Sequence, residues 1–317
     1  MASFAASIIM KTIEKKLHIN EMLKTATEEN MSKLIPEGVV GPRGVKVPKG
    51  YSMEIVTLKN GVKMEVVAPI KNKSDNVVYV LHGGGYIMQL GDMYRRLDKK
   101  LSEAGHNATV AFLDYRVAPE HRYPSALEDA LLGWAYLLKQ GFKPENIVVV
   151  GDSAGGNLTA VLVLKLIELK RETPKAVVLF SPWADMTGSG DSYTGNYNVD
   201  IMFGNKNEEV TEERKQALLN SAMFSYVKDA DRKDPFVSPV FADYAGFPPA
   251  MIFAGTHEML LSDSLTIADK IKKSGGEVEL YLAEEMFHVW PLATGLFPEA
   301  TKAMDAALEY IGKQLQK

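Results

Sequence analysis

Residues 51–70 alternate apolar and polar positions in two runs on either side of Asn60-Gly61. That period of two, broken by the residue pair that a tight type I′ turn favours, predicts a β-hairpin. Downstream the pattern changes. Short, β-branched apolar runs at 77–81, 109–113, 147–150, 177–180, 251–253 and 278–282 alternate with longer stretches of helical period. Runs that are apolar at nearly every position suit strands buried on both faces of a parallel sheet, with the helices as crossovers. Ser125 and Glu128 have the spacing of a capping box, opening a helix that carries Trp134, Tyr136 and Leu138. A last helix over 298–315 would close the sheet. The expected fold class is α/β: a mostly parallel central sheet with an antiparallel N-terminal hairpin and helices on both faces.

Two segments break this rhythm and set the domain organisation. Residues 1–50 precede the hairpin, and residues 185–234, rich in Gly, Asn, Glu and Met, interrupt the α/β alternation with a helix beginning near Thr211. Segments inserted at the carboxyl edge of a sheet commonly become lids over a site. The expected layout is an N-terminal helical cap segment over 1–50 and one α/β domain over 51–317, with a cap insertion at about 185–234. The first ten residues are apolar, but Lys11, Lys15 and Lys16 follow that run instead of preceding it, the wrong order for a secretory signal. They read instead as an amphipathic helix with Phe4, Ile9, Ile13 and Leu17 on one face.

Composition narrows the function classes. A net charge of -4 over 317 residues gives no electrostatic footprint for nucleic acid or an anionic membrane. No run is long enough for stable membrane insertion. The absence of cysteine removes disulfides, thiol nucleophiles and thiolate metal sites, and fits a reducing cytoplasm.

The chemistry lies in the loops after the apolar runs. Gly151-Asp152-Ser153-Ala154-Gly155 matches the G-x-S-x-G nucleophile elbow, in which small neighbours let a serine occupy a strained strand-to-helix turn. At average glycine and serine usage, a chain of this length would show the pattern by chance about one time in ten. Context decides the matter, because a buried strand precedes it and an apolar helix from Leu158 to Leu169 follows. His82-Gly83-Gly84-Gly85 also follows an apolar run. Three consecutive glycines mark a place where backbone must approach something closely, and an oxyanion hole is such a place. Phosphate-loop patterns are absent from it.

A serine nucleophile needs a base. On this scaffold the order is serine, acid, histidine, so the base comes late, and His288 follows the last run. His257, the other downstream histidine, falls beside the acid loop Gly255–Asp263. That loop offers two carboxylates: Glu258 is assigned to orient the base, and Asp263 to cap the following helix.

These residues closely resemble the hormone-sensitive lipase-like esterases, the bacterial family IV lipolytic enzymes of the α/β-hydrolase fold. The resemblance runs from His82-Gly83-Gly84-Gly85-Tyr86 through Asp114-Tyr115-Arg116-Val117-Ala118-Pro119-Glu120, Tyr123-Pro124 and Leu127-Glu128-Asp129. It continues through Gly151–Asn157, Ser181-Pro182-Trp183, Asp234-Pro235-Phe236-Val237-Ser238-Pro239 and the His288 loop. It implies that the N–H groups of Gly84, Gly85 and Ala154 form the oxyanion hole, that His82 organises its loop, and that 1–50 and the insertion make a cap. The family's acid motif has Asp before Pro-Leu where this chain has Glu258-Met259-Leu260. Either carboxylate can orient an imidazole, and Asp263 stays open as a substitute acid.

The expected activity is a serine carboxylesterase acting on short- to medium-chain acyl esters through an acyl-enzyme, with no metal or cofactor. Tyr86, Trp183, Phe203, Met223, Phe224 and Phe287 are candidates for the substrate pocket. The alternatives are an amidase, lactonase or deacetylase on the same scaffold, or a non-enzymatic binder. Plant gibberellin receptors resemble the family and have lost the histidine, whereas this chain keeps His288. Strand pairing through 278–282 would make a homodimer.

Overall fold

The computed structural model describes residues 2–17, 25–30 and 41–316. Helix α1 (Phe4–Leu17) leads to β1 (Tyr51–Thr57), β2 (Lys63–Pro69) and β3 (Val77–Leu81). Then come α2 (Asp98–Ala104), β4 (Thr109–Asp114), α3 (Ser125–Lys139), β5 (Ile147–Asp152), α4 (Ser153–Glu168) and β6 (Ala176–Phe180). After the insertion, which holds α5 (Glu212–Leu219), the chain closes with β7 (Ala250–Gly255), α6 (Leu261–Lys273), β8 (Val278–Ala283) and α7 (Pro298–Gln314).

The strands form one eight-stranded sheet in the order β1-β2-β4-β3-β5-β6-β7-β8. The β1–β2 and β2–β4 pairs are antiparallel and every later pair is parallel. The central strands β3 and β6 are apolar at every position because both of their faces are covered. Val77, Tyr79 and Leu81 face one core with α3, α4 and α6, while Val78 and Val80 face a second core with α1, α2 and α7. Burying each such valine or leucine contributes about 1.5–3 kcal/mol. Helix α4 is buried along its whole first three turns, as a helix apolar on all sides must be.

The register of this sheet places the site. Leu81 pairs with Gly151 across the β3–β5 ladder, so the loops that follow, His82–Gly85 and Asp152–Gly155, emerge side by side at the carboxyl edge. Binding crevices in open α/β sheets lie at that edge.

Four local expectations need correction. The hairpin loop is Lys59-Asn60-Gly61 with only Gly61 left-handed (φ 86°), and the Gly61 N–H closes on Leu58 O at 2.9 Å. This is a three-residue loop, adopted in place of a type I′ turn because the Asn60 amide is drawn to Asp129. Ser125 and Glu128 form no capping box: Ser125 Oγ is buried without a partner among the described residues and Glu128 binds Arg116. In α1, Phe4 is 82% exposed, and the face against the core is built from Ala6 with Ile9, Met10 and Ile13. Phe4 is turned outward because Ser3 is pinned to Glu299 through its N–H and hydroxyl, which fixes the helix rotation. The side chain of Leu17, and residues 18–24 and 31–40 of the expected cap segment, lie outside the described residues. Finally, β8 is not covered on both faces. As the edge strand it leaves Leu280 and Leu282 exposed.

The insertion over 185–234 contains short helical turns and α5, whose Thr211 hydroxyl caps the Arg214 N–H as a helix start requires. Its first half is tied to the acid loop. The Asn196 amide donates to Thr256 O and Glu258 O, and Asp200 Oδ2 accepts from Met259 N–H at 2.7 Å. Among the described residues no helix is long and apolar enough to cross a membrane.

Candidate active site

Ser153 begins α4 directly after β5 and has a φ of 52°, a left-handed conformation that few side chains tolerate. The turn survives because its neighbours lack side chains. A Cβ on Gly151 would meet Gly155 O at 2.2 Å, and one on Gly155 would meet Leu81 O at 2.0 Å. Only glycine at both places lets strand, turn and helix close this tightly.

Ser153 Oγ lies 2.9 Å from His288 Nε2, and His288 Nδ1 lies 2.9 Å from Glu258 Oε2. All three side chains are buried. Glu258 comes from the loop after β7, and His288 from the loop after β8, so the carboxyl ends of β5, β7 and β8 supply one line of hydrogen bonds. The second oxygen of Glu258 accepts from Ser181 Oγ at 2.8 Å and from the Gly255 N–H. Burial raises the Glu258 carboxyl above its usual range, and the bonds from His288, Gly255 and Ser181 oppose that rise. A hydroxyl bonded to an imidazole that a carboxylate orients can lose its proton while it attacks an electrophilic carbon.

Asp263 takes no part in this line. Its Oδ2 accepts from the Ala184 and Asp185 N–H groups at 2.7 and 2.8 Å and from Tyr193 OH at 3.2 Å. It lies within α6, not at its cap, and supports the start of the insertion. His257 has no side-chain hydrogen bond among the described residues.

Opposite Ser153, Gly84 (φ 107°) and Gly85 (φ 63°) turn the loop after β3, and a Cβ on Gly84 would meet Met88 Cβ at 2.7 Å. The backbone N–H groups of Gly84, Gly85 and Ala154 donate to no acceptor among the described residues. Buried amides are normally paired, so three free donors beside one serine form a cradle for negative charge. His82 holds the loop: its Nδ1 is 2.8 Å from Gly83 O, its ring stacks on Tyr115 at 4.1 Å, and Tyr115 OH donates to His82 O. Burial lowers the pKa of His82, keeping it neutral. From the elbow side, Asp152 accepts from Gly83 N–H at 2.9 Å and from Tyr94 OH at 3.0 Å, and burial lifts its carboxyl to about 6.

An apolar cavity at Ser153 is lined by Trp183, Phe203, Met223 and Phe224, with Tyr193 and Leu218. Two of the sequence-predicted pocket residues fall elsewhere. Tyr86 is buried beneath the loop, where its hydroxyl donates to Asn157 at 2.7 Å and its ring stacks on Tyr226. Phe287 points into the opposite core against Phe297, while His288, next along the turn, faces the serine. The sequence reading missed Ser181 and Asp200. Ser181 Oγ bridges Glu258 to the Val289 N–H, joining the acid and histidine loops. Asp200, from the insertion, binds the Met202, Phe203 and Met259 N–H groups, and Phe203 in turn lies 4.9 Å from the His288 ring. Ser181 could have been found from its place in Ser181-Pro182-Trp183, whereas Asp200 has no such marker. Among the described residues no three His, Asp or Glu side chains gather as metal ligands would.

Residues 77–292 match a family described as having the alpha/beta hydrolase fold. An acetyl-hydrolase of Streptomyces hygroscopicus is 32% identical over 261 residues, covering 82% of each chain. An esterase of Acinetobacter venetianus is 30% identical over 234 residues, covering 74% of each. Among solved structures, an esterase from the bacterial hormone-sensitive lipase family is 27% identical and covers 100% of both chains with a TM-score of 0.81. The esterase EstE5, soaked with p-nitrophenyl butyrate, is 29% identical, with 99% of both chains covered and a TM-score of 0.78.

Proposed function

The chain belongs to the α/β-hydrolase family, among the hormone-sensitive lipase-like esterases, and from that premise we propose that it hydrolyses short- to medium-chain acyl esters with Ser153 as nucleophile, His288 as base and Glu258 as acid. The observation that supports this most is the unbroken line from Ser153 Oγ through His288 to Glu258, at 2.9 Å for each step, beside three free N–H donors.

Ser153 Oγ attacks the ester carbonyl carbon as its proton passes to His288 Nε2. Glu258 accepts from Nδ1–H, fixing the tautomer and stabilising the imidazolium. The negative charge that develops on the carbonyl oxygen is met by the N–H groups of Gly84, Gly85 and Ala154, each such donor contributing about 3–4 kcal/mol in the transition state. The alcohol leaves with the proton from His288, and the acyl group stays on Ser153. Water then attacks the acyl carbon, giving its proton to His288, and the acid departs as Ser153 Oγ recovers a proton. These steps need no metal or organic cofactor.

Trp183, Phe203, Met223 and Phe224 form the acyl-binding wall in this reading. Residues 1–50 and about 185–234 act as a cap on the catalytic domain of 51–317. The use of p-nitrophenyl butyrate on EstE5 and the acetyl group in the name of the Streptomyces relative favour small acyl groups. The enzyme works in the cytoplasm, which its lack of cysteine fits. The exposed edge of β8 pairs with its copy in a homodimer, and a single monomer peak in size-exclusion chromatography across concentrations would rule that out.

The direct test is hydrolysis of p-nitrophenyl esters of graded chain length by wild type and by Ser153→Ala. Wild type is expected to turn over acetyl to hexanoyl esters, and the variant to lose about 10⁶-fold in kcat. A folded wild type inactive on every ester would overturn the esterase reading.

A further inference from the structure

We propose that the esters this enzyme is built for carry a carboxylate remote from the scissile bond, and that Arg232 binds it. The inference deepens the esterase reading and rests on it.

Beyond the apolar cavity at Ser153 lies a second, larger one of about 910 Å³, bounded by the insertion and by residues 26–29. Phe203, Leu218 and Phe224 line both, so the space at the reacting serine and the larger one share a wall. Arg232 lies on its wall. The guanidinium carbon lies 4.7 Å from the centre of the Phe224 ring, and the same ring packs nearly perpendicular to Trp183 with ring centres 4.9 Å apart. The Trp183 N–H donates to Ser153 O at 3.0 Å. A chain that starts at Ser153 and follows Phe224 therefore ends at Arg232.

The other cations near this space are neutralised. Arg214 pairs with Glu208, Lys228 with Glu28, and Arg122 with Glu28 and Asp229. Arg232 has no carboxylate partner among the described residues. Of its five N–H donors the structure uses one, to Leu219 O at 2.8 Å. Partial burial also disfavours its charged form. A half-buried guanidinium over an aromatic ring, with four of its five donors free, presents a fork that matches a carboxylate. Glu28 and Glu29 on the same wall favour a singly charged group over a phosphate dianion.

The test compares p-nitrophenyl monoesters of dicarboxylic acids with the same compounds capped as methyl esters, over a series of spacer lengths. At one spacer length wild type should prefer the free carboxylate by about tenfold or more in kcat/KM, the effect of a charge-assisted hydrogen-bonded pair. Arg232→Gln should bring that ratio toward one, Arg232→Lys should keep part of it, and added salt should weaken it. Wild type that hydrolyses p-nitrophenyl butyrate yet shows no preference at any length would overturn this inference alone. Failure on butyrate as well would remove the esterase reading beneath it. If Arg232→Gln lowers both members of each pair equally, Arg232 only secures the Leu219 carbonyl and the proposal falls.

Discussion

Two buried polar clusters in this molecule are built on opposite principles. Near the antiparallel edge, Arg95 binds Glu65 at 2.8 Å and Asp92 at 3.0 Å, while Arg43 binds Glu65 at 3.2 Å and Asp98 at 3.1 Å. Every carboxylate there faces a guanidinium, and among the described residues only Arg43 Nη2 lacks a partner. At the carboxyl edge, Glu258 and Asp152 are as deeply buried, yet among the described residues no lysine or arginine bonds to either. Amides, hydroxyls and an imidazole serve them instead, and burial lifts both carboxyls above their usual range. The first cluster pairs each of three carboxylates with at least one of two guanidiniums and joins the hairpin to the helices. The second keeps charge movable and leaves three N–H donors open. Burial of carboxylates is common to both, and what differs is whether cations or neutral donors hold them.

The sharpest break of this comparison is Glu258→Gln. It preserves the shape but misorients the His288 tautomer, and kcat should fall by about 10⁴-fold, read from single-turnover ester hydrolysis. Asp263→Ala should instead strip acceptors from the Ala184 and Asp185 amides, lowering stability by about 1–3 kcal/mol for each group left unpaired while the folded enzyme keeps most of its kcat. Equal losses of kcat in the two variants would reverse the acid assignment. In the neutralised cluster, Glu65→Gln leaves two guanidinium groups buried without their shared anion. It should destabilise the fold by about 3–5 kcal/mol in denaturant titration, with kcat of the remaining native enzyme unchanged. A large kcat effect there would mean that the two clusters are coupled through the sheet.

What the sequence could reveal followed the same division. Five strand positions were legible because burial on both faces leaves an apolar run, and β3 was legible to the residue, whereas the run at 278–282 is an edge strand with exposed positions. Ser153, Glu258 and His288 were legible because chain order and strand ends constrain them. Side-chain direction was not. Tyr86 and Phe287 carry the right chemistry for a pocket, but one hydroxyl needed Asn157 and the other ring belongs to the opposite core. The Ser125–Glu128 spacing misled for a related reason, since Arg116 competes for Glu128. Asp200 was invisible because its partners, the amides of Phe203 and Met259, are far apart along the chain and are brought together only by folding.

Asp152 gives the smallest effect and the finest test of the distinction. It joins the elbow to the glycine loop through the Gly83 N–H and Tyr94 OH, and no cation balances it. With its carboxyl at about 6 in the folded protein against 3.8 ordinarily, the native state keeps a proton that the unfolded chain has already lost. The stability this group contributes is therefore fully present below pH 3.8 and is lost as pH rises through about 6. That difference corresponds to about 3 kcal/mol, with the imidazole of His288 the nearest group able to offset it. Asp152→Asn can still accept from Gly83 and can donate to Tyr94, so the loop keeps its geometry while the titration disappears. Unfolding free energies of the two proteins, measured from pH 4 to pH 7, should diverge in favour of the variant and then run parallel. A constant difference across that range would mean that Asp152 ionises as it does in water. The elbow would then be neutralised like the Arg43–Glu65–Arg95 cluster, and the contrast between the two buried clusters would not hold.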